Sequence, residues 1–365
     1  MYLSNERLQE LKSKSNMTKE IGITSKNNTR FLVTRSKGSD IIIDQEKQFY
    51  YDVKNNKCGD IMDFLMKEKN YSFQKAIKRV AGFDIQLEKG NRKDRRLMYH
   101  VNALAAAYYH KKLWQSPEAL TYMRERKILY RTAKEFQIGF CDGKGLLIYM
   151  KKLGISKELL MTCGLLNDKG RERFFNRLIF PILDYNGNVT GFGGRAIKKN
   201  KIKYLNSSDS PVFDKSISLY GINIAKKSNK SDLIITEGFM DTISLHQAGF
   251  RNAVASMGTA LTKEQVGIIS LLYKRVYLSQ DSDEAGIMAK TKSAKLLMQH
   301  GIDVRIVGTK PYKDPDELIK ACGREEYQKR LQIAKPFKTF ILENPIGNTS
   351  VEKHEFMAKM LVEQF

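Results

Sequence analysis

Short apolar runs of strand length recur through the second half of the chain, and acids follow close behind each one. Leu233-Ile234-Ile235-Thr236 ends at Glu237-Gly238, and Arg275-Val276-Tyr277-Leu278-Ser279-Gln280 leads to Asp281 and Asp283, with Gly286 just beyond. Val304-Arg305-Ile306-Val307 precedes Asp314-Pro315-Asp316. The runs are rich in β-branched residues, and helix-like stretches separate them. Strands alternating with helices predict a parallel sheet, and such sheets place ligands outside the carboxyl ends of their strands. The five acids are therefore expected at one edge.

The other elements read more coarsely. Phe31, Val33, Ile41, Ile43, Phe49 and Tyr51 alternate with polar neighbours, as in hairpin strands with one buried face. Residues 60–82 predict one or two short helices through Ile61, Phe64, Leu65, Phe73, Ile77 and Val80. The run Glu88-Lys89-Gly90-Asn91-Arg92-Lys93-Asp94-Arg95-Arg96 has no apolar residue and marks the expected linker. A helical stretch over 97–129 is broken at Ser116-Pro117. Residues 1–20 are polar and helix-prone, and 352–365 predict a terminal helix. No run is long and apolar enough for a transmembrane helix.

Composition changes the picture in one respect. The 365 residues carry 63 Lys and Arg against 40 Asp and Glu, a net charge of +23 that is expected to attract a polyanion. A basic body around an acidic edge suits a metal-dependent nucleic-acid enzyme better than a membrane-surface protein, because no strongly apolar amphipathic helix accompanies the charge. Cys58, Cys141, Cys163 and Cys322 share no metal spacing and suit a reducing cytoplasm. The five histidines form no cluster, so His110, His246 and His300 are expected in ordinary surface or core roles.

One acid after a strand is usually a helix cap or a turn former. Three clusters in successive strand–helix units favour another reading. Clustered carboxylates repel one another unless a cation lies among them, and all-oxygen donors suit Mg²⁺ or Mn²⁺. The stretch from Glu237 to Asp316, with Glu237-Gly238, Asp281-Ser282-Asp283, Gly286, Asp314-Pro315-Asp316 and Ala255-Ser256-Met257-Gly258-Thr259, resembles a Toprim domain. Primases, topoisomerases and certain nucleases share that domain.

Residues 171–221 narrow the choice. They contain Arg173 and Arg177 ahead of Leu178-Ile179-Phe180-Pro181-Ile182-Leu183, then Gly191-Phe192-Gly193-Gly194-Arg195, Lys203-Tyr204-Leu205-Asn206-Ser207, Phe213-Asp214-Lys215 and Leu219-Tyr220-Gly221. In order and spacing this block resembles the RNA-polymerase core of the DnaG-type bacterial primase. Gln137-Ile138-Gly139-Phe140 and Cys163-Gly164-Leu165-Leu166 fit the same family. On chemistry alone, arginine forks suit phosphate oxygens, lysine supplies a point charge, and a Gly-Phe-Gly-Gly turn would bring backbone amides close to a phosphate. The resemblance implies that Arg173, Arg177, Lys203, Asn206 and Lys215 contact template and nucleotide. Arg195 is a further candidate.

The N-terminal region departs from the family pattern. Residues 45–66 resemble the second half of its zinc ribbon, which carries a Cys-x-x-His pair and a Cys-x-x-Cys pair. Counting along that pattern puts Phe31, Thr34, Asp52 and Asn55 at the ligand positions, so no zinc is expected. A small apolar core is expected to replace it. The roughly 45 residues after 320 leave no room for the family's helicase-docking domain; either a truncated chain or a reduced, mobile-element or phage-type member would fit.

The expected fold is a multidomain α+β chain: a zinc-ribbon-like β module over 1–88, a mixed basic subdomain over 97–225, a Toprim α/β subdomain over 230–322 and a helical segment over 323–365. The resemblance implies a DNA primase that makes short RNA primers on single-stranded DNA from nucleoside triphosphates, in the cytoplasm. A replicative helicase or replication initiator is the expected further partner, and no membrane. Asp281, Asp283 and Asp314, with Asp316 assisting, would hold Mg²⁺ or Mn²⁺, and Glu237 would serve as general base or a further ligand. A Toprim nuclease would use the same acids without nucleotides, and a non-catalytic single-stranded-DNA-binding module would tolerate their loss.

Overall fold

In the computed structural model of the chain, residues 31–36, 39–44, 49–54, 57–60, 64–65, 69–71, 92–198, 200–258 and 260–343 are described. The polar N-terminal stretch, most of the 60–82 helices, Asn55 and the 352–365 helix lie outside them. The chain divides into two units, Met1–Leu87 and Glu88–Phe365.

The first unit holds an antiparallel sheet, β1 (Phe31–Ser36), β2 (Ser39–Asp44), β3 (Phe49–Asp52) and β4 (Lys57–Asp60), paired in chain order. Ile41 pairs with Asp52 and Ile43 with Tyr50, and all four are buried. The buried face thus differs from the alternation expected above. Tyr50 rather than Tyr51 points inward, and Val33 and Tyr51 are exposed. A one-residue offset in a strand exchanges its two faces, and three consecutive apolar residues, Phe49-Tyr50-Tyr51, cannot specify which face is which. The Tyr50 ring meets Phe64 edge-on at 5.3 Å, so Phe64 and Leu65 complete this small core.

The second unit opens with three helices, α1 (Arg92–Trp114), α2 (Pro117–Glu125) and α3 (Tyr130–Glu135). α1 begins inside the expected linker, because its charged first turn leaves the apolar stripe to start at Met98 and Val101. Ser116 caps α2 by accepting the Ala119 N–H, with Pro117 at the first helical position. β5 (Gly139–Cys141), α4 (Leu146–Lys152) and α5 (Lys157–Thr162) lead to β6 (Arg177–Leu183), β7 (Val189–Ala196) and β8 (Tyr204–Asn206). β5 to β8 form an antiparallel sheet in chain order.

A short helix α6 (Ile222–Ala225) precedes the parallel unit. This contains β9 (Asp232–Thr236), α7 (Phe239–Gln247), β10 (Ala253–Ala255), α8 (Lys263–Leu272), β11 (Arg275–Leu278), α9 (Glu284–Gln299), β12 (Asp303–Ile306) and α10 (Pro315–Gln332). The sheet order is β10-β9-β11-β12, parallel throughout, and the antiparallel β13 (Lys335–Pro336) adds the last edge before α11 (Phe337–Glu343). α10 crosses the expected boundary at 322, changing direction at Gly323 (φ 77°). Residues beyond 322 thus belong to this sheet. No helix among the described residues is long and apolar enough to cross a membrane.

Gly191, Gly193 and Gly194 lie in β7, not in the turn expected from their spacing. Their role is close packing. A Cβ at Gly193 would come within 2.2 Å of the Phe239 ring, and one at Gly191 within 2.8 Å of Phe213. Phe239 stacks on Phe180 at 5.1 Å and meets Tyr220 edge-on at 4.7 Å, which joins the antiparallel sheet to the first helix of the parallel unit. Gly193→Ala should therefore destabilise the protein by about 1–3 kcal/mol, because the boxed ring cannot retreat. Gly308→Ala, where a Cβ meets nothing within 4 Å, should stay within about 0.5 kcal/mol of wild type. Denaturant unfolding of the two variants checks the contrast.

Candidate active site

In the strand order β10-β9-β11-β12 the chain reverses direction of build between β9 and β11, the position where open parallel sheets form their ligand crevice. Glu237 follows β9 and Asp281 follows β11, so the two acids face each other across that crevice. The Asp281 N–H donates to Glu237 Oε1 at 3.2 Å. Burial first, then the charges of Asp281 and Asp283, raise the Glu237 carboxyl to about 7.

Local backbone demands explain the spacing of the other acids. Asp283 caps α9 by accepting the Gly286 N–H at 2.8 Å. Gly286 is required there, because a Cβ would lie 2.2 Å from the Asp281 carbonyl oxygen. Asp314 caps α10, accepting the Glu317 N–H at 2.8 Å. The caps use one oxygen of each carboxylate. Both readings of these acids, as caps and as site carboxylates, are thus compatible. Burial and then Asp314 raise the Asp281 carboxyl, against the opposing Lys313 ammonium 3.6 Å away. Asp314 is raised mainly by its own burial.

Asp316 is placed differently. It is buried, accepts the Ser244 hydroxyl at 2.7 Å and pairs with Lys320 at 2.6 Å. Both oxygens are engaged, so it braces α7 against α10.

Asp241 was missed from sequence. It stands in the first turn of α7, buried, and accepts the Gly238 N–H at 3.2 Å. Burial, then Asp314, Asp281 and Asp316, hold its carboxyl well above the usual range. The signal was its position four residues after Glu237, which carries an acid from a strand end into the first turn of the next helix. Lys290, buried on α9, was also missed. Burial pulls its ammonium down to about 8, against the pull of Glu237, Asp281 and Asp283.

Among the described residues, no three of these acids already converge as a metal nest. The donor set nevertheless fits a hard divalent cation. It is all oxygen, Asp283 and Asp314 each keep one oxygen outside their cap, and burial together with neighbouring acids raises the Glu237, Asp281 and Asp314 carboxyls.

The basic candidates separate into two groups. Arg177 is buried and donates to the carbonyls of Gly194, Lys203 and Ile202, fastening β6 to β7 and the approach to β8. Arg195 is buried too, bonded to the hydroxyls of Tyr122 and Tyr204 and lying over both rings. Arg173 donates to the Asn206 carbonyl through Nε and Nη2, at 3.3 and 3.2 Å. Lys203 and Lys215 are exposed. Lys215 comes near Gly258, just beyond β10, its Nζ lying 3.5 Å from where a Cβ would stand. It therefore reaches the carboxyl edge where the acids gather. His246 stays in the core, its Nε2 against the Ala253 carbonyl at 2.8 Å, and burial lowers its pKa to about 4.

Comparison with known proteins agrees with this fold. The DNA primase catalytic core, N-terminal domain family matches residues 108–226, and a Toprim-like family matches 234–319. A DNA primase of Clostridium acetobutylicum is 36% identical over 331 residues, covering 87% of this chain and 56% of the relative. The chain thus spans little more than half the length of that curated relative. The zinc-binding and RNA polymerase domains of the Aquifex aeolicus primase superpose with a TM-score of 0.67 at 28% identity, over 99% of this chain and 92% of that one. A DnaG primase catalytic domain solved with single-stranded DNA gives a TM-score of 0.61 at 30% identity, over 69% and 83%.

The acidic cluster carries a testable cost. A carboxyl whose folded pKa lies above its unfolded value loses stability as pH rises from the unfolded value toward the folded one. Asp241→Asn should therefore raise the melting temperature of the metal-free protein on the order of 2–6 °C at pH 8, and less at pH 5. Thermal unfolding in EDTA at both pH values measures it; an unchanged or lowered melting temperature at pH 8 would refute the cost.

Proposed function

The chain belongs to the DnaG-type DNA primase family, and on that premise we propose that it synthesises short RNA primers on single-stranded DNA. The observation that carries this reading is the meeting of two chemistries at one edge. Glu237, Asp281, Asp283 and Asp314 gather at the carboxyl ends of the parallel strands, and Lys215 reaches the same edge from the basic block.

In this reading the template lies along the basic face, with Lys203 and Lys215 supplying exposed charge and Arg173 positioned beside Asn206. Oδ1 of Asn206 is buried and accepts no hydrogen bond among the described residues. Arg177 and Arg195 act from behind by holding the strands that present these groups. Asp281, Asp283 and Asp314 would hold Mg²⁺ or Mn²⁺, which when bound supplies positive charge for the triphosphate and the attacking oxygen. Asp316 supports the wall of the pocket. Glu237, raised to about 7, suits the acceptor of the 3′-hydroxyl proton, because a base poised near the working pH transfers protons most effectively. The 3′-oxygen then attacks the α-phosphorus, and pyrophosphate leaves. A cytoplasmic setting and a helicase or replication-initiator partner belong to the same proposal.

Labelled ribonucleotides with mixed-sequence single-stranded DNA and Mg²⁺ or Mn²⁺ should give short RNA products. Asp281→Asn should reduce them by about a hundredfold or more while leaving DNA binding intact. DNA degradation without nucleotides, lost in the same variant, would instead support a nuclease. Lys203→Ala and Lys215→Ala should each weaken binding across all template sequences and lower the slope of log affinity against log salt by about 1. Arg177→Ala should show its effect in stability. An unchanged salt slope in both lysine variants would remove them from the template path.

A further inference from the structure

Lys313 stands at the mouth of the acidic crevice, in the loop between β12 and α10 and directly before Asp314. Its Nζ lies 3.6 Å from Asp281 Oδ2, and its side chain is 58% exposed. The backbone at this point is well held. The Ser282 N–H donates to the Lys313 carbonyl at 2.9 Å, and the Lys313 N–H donates to Glu317 Oε2 at 3.0 Å. The Ser282 hydroxyl donates to the adjoining Tyr312 carbonyl at 3.2 Å. Lys313 is thus tied both to the segment that carries Asp281 and Asp283 and to the start of α10. Its side chain, by contrast, has a single loose ion pair, longer than a hydrogen bond and open to water, which contributes little.

A cation on a fixed base beside metal-binding carboxylates can change partners. A divalent cation at Asp281 would take over that carboxylate and repel the ammonium at short range. The ammonium then needs another anion within reach of its stem. Position along the sheet says which. Lys215, beside Gly258 beyond β10, joins the crevice to the basic block, whereas Lys313 follows β12, with β9 and β11 between the two. Lys313 therefore flanks the acids on the side away from the basic strands. We propose that Lys313 binds the outer phosphates of the incoming ribonucleoside triphosphate, and rests against Asp281 when no nucleotide is bound. This assignment rests on the primer-synthesis reading. A lysine, a point charge with three donors on a flexible stem, suits a terminal phosphate better than a planar fork would.

The probes are etheno-ATP and etheno-AMP, titrated onto the full chain at saturating Mg²⁺ without DNA and followed by anisotropy. Lys313→Ala should weaken etheno-ATP about tenfold and change etheno-AMP by no more than about threefold, because the monophosphate lacks the outer phosphates. Lys313→Arg, which keeps the charge, should recover most of the loss. In primer synthesis, Lys313→Ala should raise KM for the ribonucleotide about tenfold with kcat within about threefold of wild type. The salt slope of single-stranded-DNA binding should match wild type. Equal weakening of the two probes would overturn the assignment. So would a lowered salt slope with unchanged etheno-ATP affinity, which would move Lys313 to the template path, and so would no etheno-ATP binding by wild type. Etheno-ATP bound through Lys313 by a protein that makes no primers would sink the primer-synthesis reading and leave the nucleotide contact standing. Primers made by wild type and Lys313→Ala with the same KM would do the reverse.

Discussion

The constraint on which the molecule turns is the repulsion among carboxylates held at one sheet edge. Burial first, and then the charges of the other members, raise Glu237, Asp241 and Asp281, and Asp314 is raised mainly by its own burial. A fold selected for stability alone would not assemble them. The structure tolerates the cluster by giving its carboxylates backbone donors: the Asp281 N–H for Glu237, the Gly238 N–H for Asp241, and helix N-termini for Asp283 and Asp314. Lys313 and Lys290 offset the remaining charge without neutralising it fully. What is left is an electrostatic demand for a cation, which is what a phosphoryl-transfer site needs before substrate arrives.

Packing holds the basic block against the acidic edge. Phe239 begins α7, two residues after Glu237, and its ring lies against Gly193 and Phe180 of the antiparallel sheet. The acidic crevice and the basic strands therefore share one rigid contact. Glycine in β7 costs conformational entropy and forgoes side-chain packing, yet no other residue lets the ring approach so closely. Gln265 adds a polar tie, donating to the Ser218 carbonyl at 2.8 Å and so anchoring the Lys215 segment to α8. Arg177 and Arg195 serve the same end from inside the sheet. Their guanidinium groups satisfy carbonyls and tyrosine hydroxyls, which places the exposed Lys203 beside them.

Much of this was legible in the residues, for identifiable reasons. Three of the four parallel strands, β9, β11 and β12, could be read because each is a β-branched run with an acid after it, and the order of those acids along the chain survives as their order along the sheet edge; β10 carries no acid. Burial could not be read. Arg177 and Arg195 share a residue type with Arg173, and only the fold shows which guanidinium points inward. Gly191-Phe192-Gly193-Gly194 looks like a phosphate turn because glycine permits one, but the ring that fills the space comes from residue 239. Asp241 escaped notice because an acid in the first turn of a helix is ordinary, and its proximity to Asp281 and Asp314 depends on β11 and β12. In the N-terminal sheet, Phe49-Tyr50-Tyr51 offered two equally apolar faces, and cross-strand pairing with Ile43 decided between them.

Asp316 shows how the two demands on this edge are divided. Its position beside Pro315, two residues from Asp314, gives it the same sequence credentials as the other acids. The helix turns it inward, where Ser244 and Lys320 take both oxygens. Lys320 counters its charge at 2.6 Å, although Asp316 still contributes to raising Asp241. Asp316 also ties α7, which carries Asp241, to α10, which carries Asp314. The alternation in Asp314-Pro315-Asp316 thus serves two purposes one helical step apart: Asp314 keeps an oxygen for the crevice, and Asp316 holds the two helices that define it at a fixed distance.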